Sequence, residues 1–308
     1  MSIAMPLKRK PRRHSLRSIL EGYACISPWL FGFLTLTLGP FIASFAMSFT
    51  KWPILASPTF IGLHNYERLL FIDKRFGISL YNTAYYTFFS VPLGLVLAFF
   101  IAILLNQKVR GMPLYRTLFY VPSVTSGVAT AILWAGLFDA RFGLINLALS
   151  AIGIKGPLWF GSRMWAKPAL IFMSLWYVGG AVVVFLAGLQ GIPQHLYEAA
   201  EVDGAGAWAR LRHVTVPMMT PTVFFNLVMG IIGSFQVFTT AYVMTNGGPA
   251  DSTLFVILYL YRNAFTYFQM GYASAMAWIF FFVVLIFTAI QLATSRRWVY
   301  YEEPTGKA

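Results

Sequence analysis

Residues 76–107 read FGISLYNTAYYTFFSVPLGLVLAFFIAILLNQ, 32 positions without one Asp, Glu, Lys or Arg. A helix rises about 1.5 Å per residue, so about 20 apolar residues cross the roughly 30 Å hydrocarbon core of a bilayer. Five further charge-free runs follow the same pattern: 22–50, 117–138, 168–197, 213–250 and 263–295. The shortest of the six has 22 residues and the next run down, 52–66, has 15, so spans separate from loops without a tuned threshold. Runs such as Val182-Val183-Val184-Phe185-Leu186 do not alternate, which argues against a β-barrel.

The rest of the composition agrees. Of 308 residues, 58% are hydrophobic and only 11% charged, too few to cover two soluble cores and too apolar for disorder. The single cysteine, Cys25, excludes a disulfide framework and any multi-cysteine metal site. The four histidines lie too far apart for a local metal motif, so neither a catalytic nor a metal site is expected. The apolar part of residues 1–49 exceeds a signal-peptide h-region, so it is expected to stay as a first span, with Pro28 and Pro40 starting and bending it.

The expected fold is therefore all-α with six transmembrane helices, roughly 24–49, 82–106, 114–138, 167–189, 221–244 and 271–294. Pro217, Pro221 and the loop Asn246-Gly247-Gly248-Pro249 trim the 213–250 run to one span. If the N-terminus is cytoplasmic, 14 of the 23 Lys and Arg fall on that side and nine on the other. This bias predicts an N-in, C-in orientation. It also makes anionic lipid headgroups, rather than nucleic acid, the partner of the +13 net charge. The layout is then a basic cytoplasmic tail at 1–21, a first span at 22–50, an extracytoplasmic loop at 51–76, a core at 77–291 and a cytoplasmic tail at 292–308.

No ionisable residue sits deep in a span, which argues against a proton-driven carrier. Neither a Thr-Val-Gly-Tyr-Gly filter nor a Gly-x-x-x-x-Gly-Lys-Ser/Thr phosphate loop occurs. Any energy for active transport must come from another polypeptide. The alternative from a different class is a self-contained secondary carrier or channel, which inverted repeats with broken midplane helices would favour.

The loop 190–220 concentrates Glu198, Glu201 and Asp203, three of the ten acids of the chain. Pro193 suits a helix start, Gly204 and Gly206 a break, and Ala207 to His213 a second short helix that Pro217 stops. Here Glu198-Ala199-Ala200, with Gly204 six positions after Glu198 and then Val214-x-Val216-Pro217, resembles the E-A-A-x-x-x-G-x₉-I-x-L-P signature of bacterial ATP-binding-cassette importer permeases. Val replaces Ile and Leu at two of its positions. Pro28-Trp29, Phe60-Ile61-Gly62-Leu63-His64-Asn65-Tyr66, Tyr120-Val121-Pro122-Ser123, Thr245-Asn246-Gly247-Gly248-Pro249 and Tyr261-Arg262-x-Ala264-Phe265 resemble the carbohydrate-importer branch, of the maltose- or glycerol-phosphate-type A subunit.

That resemblance implies a type I importer fold in the bacterial cytoplasmic membrane. It implies a second six-helix permease, two ATP-binding-cassette ATPase subunits and an extracytoplasmic sugar-binding protein. The chain would hold no cofactor and catalyse nothing, Mg-ATP being bound by the partner ATPase. Glu198, Ala199, Ala200, Asp203, Gly204 and Pro217 would couple to that ATPase, with Glu198 facing an Arg. An interfacial loop that merely anchors to lipid is the plainer alternative, which three acids fit poorly.

Sugars need hydroxyl partners and flat aromatic faces in a concave site. The expected pathway residues are Phe119, Tyr120, Ser123, Trp176, Tyr177, Gly180, Gly233, Ser234 and Gln236. Ordinary close packing is the competing account, with small and hydroxyl residues such as Gly179, Gly180, Gly230 and Ser234 letting helices approach closely. Gln236 stands out because an amide at that depth needs a partner. The absence of charge in the spans favours a neutral sugar or polyol over a phosphorylated one.

Overall fold

The computed structural model describes residues 16–54, 56–107 and 109–300. The basic cluster Lys8 to Arg13 and the last eight residues lie outside the described residues. Four helices are long and apolar enough to cross a membrane: Gly22–Ser48, Lys74–Leu105, Ala207–Phe235 and Met270–Ser295. Two bent pairs, Met112–Val124 with Gly127–Leu137 and Ala166–Tyr177 with Gly179–Gln190, bring the number to six if each pair is one span. The one sheet among the described residues is a two-stranded antiparallel pair, Thr50–Lys51 with Thr59–Phe60.

Helices occupy each expected stretch, but the second begins at Lys74 rather than 82, the fourth is bent by 48°, and three further differences stand out. The 114–138 span is not one rod. It turns by 97° at Thr125-Ser126, where Thr125 adopts extended backbone. Pro122 has no N–H to continue the ladder. The hydroxyls of Ser123 and Thr125 bond instead to the carbonyls of Tyr120 and Pro122, at 2.6 and 2.7 Å. The fifth span ends at Phe235, nine residues short of the expected 244, with Val237 breaking away before the short wide turn Ala241–Thr245.

The third difference is that Pro217 does not stop the helix it follows. The chain stays helical from Ala207 to Phe235 because Leu211–Thr215 widens into a π-turn, in which the Val216 N–H reaches the Leu211 carbonyl. A proline ring clashes with the carbonyl four residues before it, here that of His213, and the wide turn carries that carbonyl aside. The first span repeats the device. Its π-turn Leu34–Leu38 precedes Pro40, and Pro28 sits inside the helix rather than at its start, which is at Leu16.

In lipid, helices gain little from burying apolar surface, so they hold together by close packing of small residues and by interhelical hydrogen bonds. The long 74–105 helix supplies both. Ala98 and Ala102, fully buried, let the 179–190 helix approach and seat Phe185 against Phe99. A Cβ on Gly188 would meet Thr222 Oγ1 at 2.7 Å, and one on Gly179 would strike the Phe119 carbonyl. Ser234 donates to Thr87 Oγ1 at 2.9 Å, joining 207–235 to 74–105. The first span packs only through its second half, where Trp278 lies against Phe41 and Phe45 and donates to Ser44. Residues 22–31 in its first half are exposed.

Candidate functional site

Three places concentrate polar chemistry: an elbow at one end of the bundle, a pair of cavities at mid-depth and a hydrogen-bonded cap at the other end. The elbow begins with the Gln194–Val202 helix, for which Pro193 is the extended residue before the first turn. Its end is a Schellman motif, with Ala205 N–H on the Ala200 carbonyl at 2.8 Å and Gly204 N–H on that of Glu201 at 3.0 Å. Gly204 takes φ +76, a left-handed conformation that disfavours any side chain with a Cβ. Glycine is thus required there by backbone conformation, since nothing crowds the position.

The same geometry sorts the helix faces. Leu196 and Tyr197 turn inward onto the inner apolar cluster, and Tyr197 OH meets Thr215 Oγ1 at 3.0 Å across the elbow. Glu198, Ala199, Glu201, Val202 and Asp203 face out. Val202 is 87% exposed and Trp208 71%. Gln194 donates to Glu198 at 2.9 Å, and Arg210 pairs with Glu201 across the turn. Trp208, Leu211 and Tyr197 form one wall of an 840 Å³ cleft against Ile103, Asn106 and Gln107. The elbow is thus exposed, acid-bearing and apolar-tipped, and is braced by one glycine turn.

At mid-depth the expected pathway residues divide between two cavities. Tyr177, Gly233 and Ser234 line one of about 480 Å³, together with Tyr86, Ser90, Ser174, Asn226 and Thr240. Phe119 and Trp176 line another of about 460 Å³ with Leu118, Pro122 and Leu175, which is almost wholly apolar. Tyr120, Ser123, Gly180 and Gln236 line neither. Gln236 is exposed just past the end of its helix, where its N–H caps Gly233, so its amide is not held in a buried setting. Of the two adjacent glycines expected to allow close packing, Gly179 makes the close approach and Gly180 faces open space.

Tyr86 and Ser90 come from the second span, outside the third to fifth spans that supply the expected pathway residues. The signal was present: Asn82, Tyr86 and Ser90 recur at helical spacing along the second span. Ser90 Oγ, Tyr177 OH and Thr240 Oγ1 are buried at this cavity and lack a protein partner. Buried hydroxyls are almost always bonded, so three together mark a place that accepts polar guests.

The cap centres on Asp73. Its Oδ1 accepts from the backbone N–H of Arg75 and Phe76 at 2.9 and 3.2 Å, closing the first turn of the Lys74–Leu105 helix. Its Oδ2 accepts from Tyr259 OH at 2.7 Å and from Tyr272 OH. Burial alone would raise this carboxyl, but the two tyrosine and two backbone bonds outweigh it and hold the group below the ordinary carboxylate range. Burial, and then the bond to Asp73, push the Tyr259 phenol up.

Neighbouring contacts extend the cap. Arg75 pairs with Asp251 at 3.2 Å, and Arg68 lies 4.5 Å from the Tyr272 ring centroid. Asn65 donates to the carbonyls of Ser48 and Thr50, so the 60–66 motif clamps the end of the first span. Arg262 donates to Asn246, joining the two other loop motifs.

The molecule is a helical bundle with four to six apolar helices able to cross a membrane, an exposed acidic elbow at one end and a built cap at the other. The comparisons give its family. Residues 90–300 match the model of the binding-protein-dependent transport system inner membrane component, and the chain belongs to that family. It is 44% identical over 297 residues to the probable ABC transporter permease protein YesP of Bacillus subtilis, covering 95% of this chain and 96% of that one. It is 33% identical over 299 residues to the lactose transport system permease protein LacF of Rhizobium radiobacter, covering 91% and 97%. The fold is similar to a chain of a bacterial ABC transporter involved in import of the acidic polysaccharide alginate, with TM-score 0.80, 24% identity and coverage of 92% and 97%. The chain is thus an inner membrane component with the type I importer permease fold.

Proposed function

We propose that the chain forms one half of the translocation pathway of an ATP-driven, binding-protein-dependent sugar importer. The observation that carries the coupling part is the elbow: Glu198 and Val202 project from the short Gln194–Val202 helix and Trp208 from the first turn of the 207–235 helix, with the Gly204 turn between them. In this reading six spans run N-in and C-in, which puts the elbow in the cytoplasm. There it docks in a cleft of one of two ATPase subunits that bind Mg-ATP, Glu198 meeting a basic side chain. Closure of the ATPase pair moves the elbow, and the unbroken 207–235 helix carries that motion to Gly233 and Ser234 at the cavity. A second permease completes the pathway, and an extracytoplasmic binding protein delivers the ligand to the cap.

The substrate reading rests on the 480 Å³ cavity, whose tyrosines and orphan hydroxyls suit a neutral sugar and whose lining carries no charge. Lactose and arabinooligosaccharides are what the names of two relatives give them, and they support a sugar here.

The test is radiolabelled sugar uptake in a strain lacking the chain, complemented with wild type or Glu198→Ala, beside co-purification of the ATPase. The expected result is a variant that stays in the membrane but loses uptake and ATPase together. Wild-type uptake in the variant would contradict the coupling role. An ATPase-free oligomer that transports unaided would move the carrier reading to first place.

A further inference from the structure

An apolar groove of about 460 Å³ runs along the outside of the bundle between the 74–105, 207–235 and 270–295 helices. It shares only Val91 with the polar mid-depth cavity and nothing with the apolar one. Its walls include Tyr81, Tyr85, Phe88, Pro92, Ile231 and Phe287, and the aromatic side chains Tyr81 and Phe88 are 62% and 71% exposed. Along the long helix it extends from Tyr81 to Pro92. Eleven steps at about 1.5 Å make roughly 16 Å, half of a roughly 30 Å hydrocarbon core. The groove therefore matches one leaflet, the one at the cap end, and not a whole membrane crossing.

A cation stands beside its cap end, against two of the lining tyrosines though not itself in the lining. Lys167 Nζ stands over the rings of Tyr81 and Tyr85, 4.8 and 4.7 Å from their centroids. Its hydrogen bond to Asn82 Oδ1, at 3.0 Å, uses one of three donors. Among the described residues no carboxylate lies within ion-pair distance of it. Arg163 stands one helical turn before it, on the turn closed by Ala166 N–H to the Ser162 carbonyl. A half-buried ammonium without a counter-ion at the edge of a bilayer is costly unless an anion is supplied. The anion available at that depth is a lipid phosphate.

We infer that this groove is a binding site for an anionic phospholipid, one acyl chain lying along Tyr85, Phe88 and Phe287 and the phosphate held by Lys167 with Arg163 beside it. The groove length selects a lipid over a transmembrane helix, and the cation without a carboxylate selects an anionic headgroup. The lipid would fasten the 74–105 and 207–235 helices together at the same depth as the Ser234–Thr87 hydrogen bond.

The experiment uses the full chain with its co-purifying partners, in nanodiscs of equal phosphatidylglycerol and phosphatidylcholine. The particle is then exchanged into detergent, and retained lipid is quantified by mass spectrometry. Wild type is expected to keep phosphatidylglycerol in preference to phosphatidylcholine. Lys167→Gln should lower its retention about fivefold, the factor that about 1 kcal/mol per basic residue near a surface gives. Lys167→Arg should restore it, Lys155→Gln should leave it unchanged, and Ala84→Trp, which fills the groove and keeps the charge, should also lose the lipid. Equal retention by wild type and Lys167→Gln would overturn the inference. So would equal retention of the two lipids, or an assembled particle in which a helix of the partner permease fills the groove. Because the readout is lipid and not uptake, it stands or falls apart from the transport reading.

Discussion

The elbow at 190–220 and the cap built from 49–76 with 245–272 lie at opposite ends of one bundle and are made differently. The elbow is held by near-neighbour contacts: a Schellman turn, a glycine at φ +76 and one bond from Tyr197 to Thr215. Its acids and its large apolar tips face out. The cap turns its polar groups inward, and its bonds join residues far apart in sequence, as Asp73 does with Tyr259 and Tyr272. The difference teaches what each end is for. The elbow keeps its charged groups on the outside, in the local pairs Gln194 with Glu198 and Arg210 with Glu201, and leaves Val202 and Trp208 uncovered. A part that must hold several helix ends in register spends its donors and acceptors internally.

That contrast can be broken in order of expected effect. Gly204→Val places a β-branched residue at a left-handed position, a cost of about 1–2 kcal/mol that falls on the elbow angle. Assembly with the ATPase should weaken by roughly tenfold, since about 1.4 kcal/mol is tenfold in an equilibrium. Pull-down from membranes measures it. Unchanged recovery would show that the elbow angle does not matter for docking. Glu198→Gln keeps the side-chain shape and removes the charge. A several-fold loss of uptake is expected, smaller than that of the glycine variant and more pronounced at low salt.

Asp73→Ala leaves docking alone and loosens the cap. Losing hydrogen bonds to a charged, partly exposed acceptor should cost about 1–2 kcal/mol. Hydrogen exchange in 49–76 and 245–270 reads this directly, and uniform loosening of both ends of the bundle would count against a local cap. The pH dependence has a definite sign. The Asp73 carboxyl is held below its ordinary value, so its stabilisation is present above an unfolded value of about 3.9 and fades as pH falls through the lower folded value. Cap protection should therefore be flat from pH 8 down to about pH 4 and decline only below it. The smallest effect belongs to Ser234→Ala, which removes the bond to Thr87. Such bonds between membrane helices average about 0.6 kcal/mol, so thermal unfolding should move little while sugar uptake falls.

The same contrast explains what the sequence disclosed. The spans and the elbow depend on local pattern: charge-free runs set the first, and Glu198, Gly204 and Pro193 set the second within a dozen residues. The cap was invisible because Asp73 reads as an ordinary helix start, and nothing nearby in the chain shows that two tyrosines almost 200 positions away will meet it. The break at Thr125-Ser126 went unread because Pro122 frees one carbonyl in any helix. Only the two hydroxyls beside it turn that into a 97° bend. Pro217 was given a stopping role that the π-turn before it cancels, and a widened turn leaves no mark in hydrophobic periodicity. The residues expected along a pathway divide in the fold. Tyr177, Gly233 and Ser234 do share a cavity, but its polar wall from the second span needed the fold to reveal it.

The most direct test of the central claim is site-specific photo-cross-linking in native membranes from a residue analogue placed at 198, with the same analogue at 163, by the cap end, as control. The account predicts a covalent adduct between position 198 and an ATP-binding-cassette ATPase subunit, its yield changing when ATP is added, and no such adduct from 163. Adducts from 198 that contain only lipid, or an ATPase adduct from 163 instead, would contradict it.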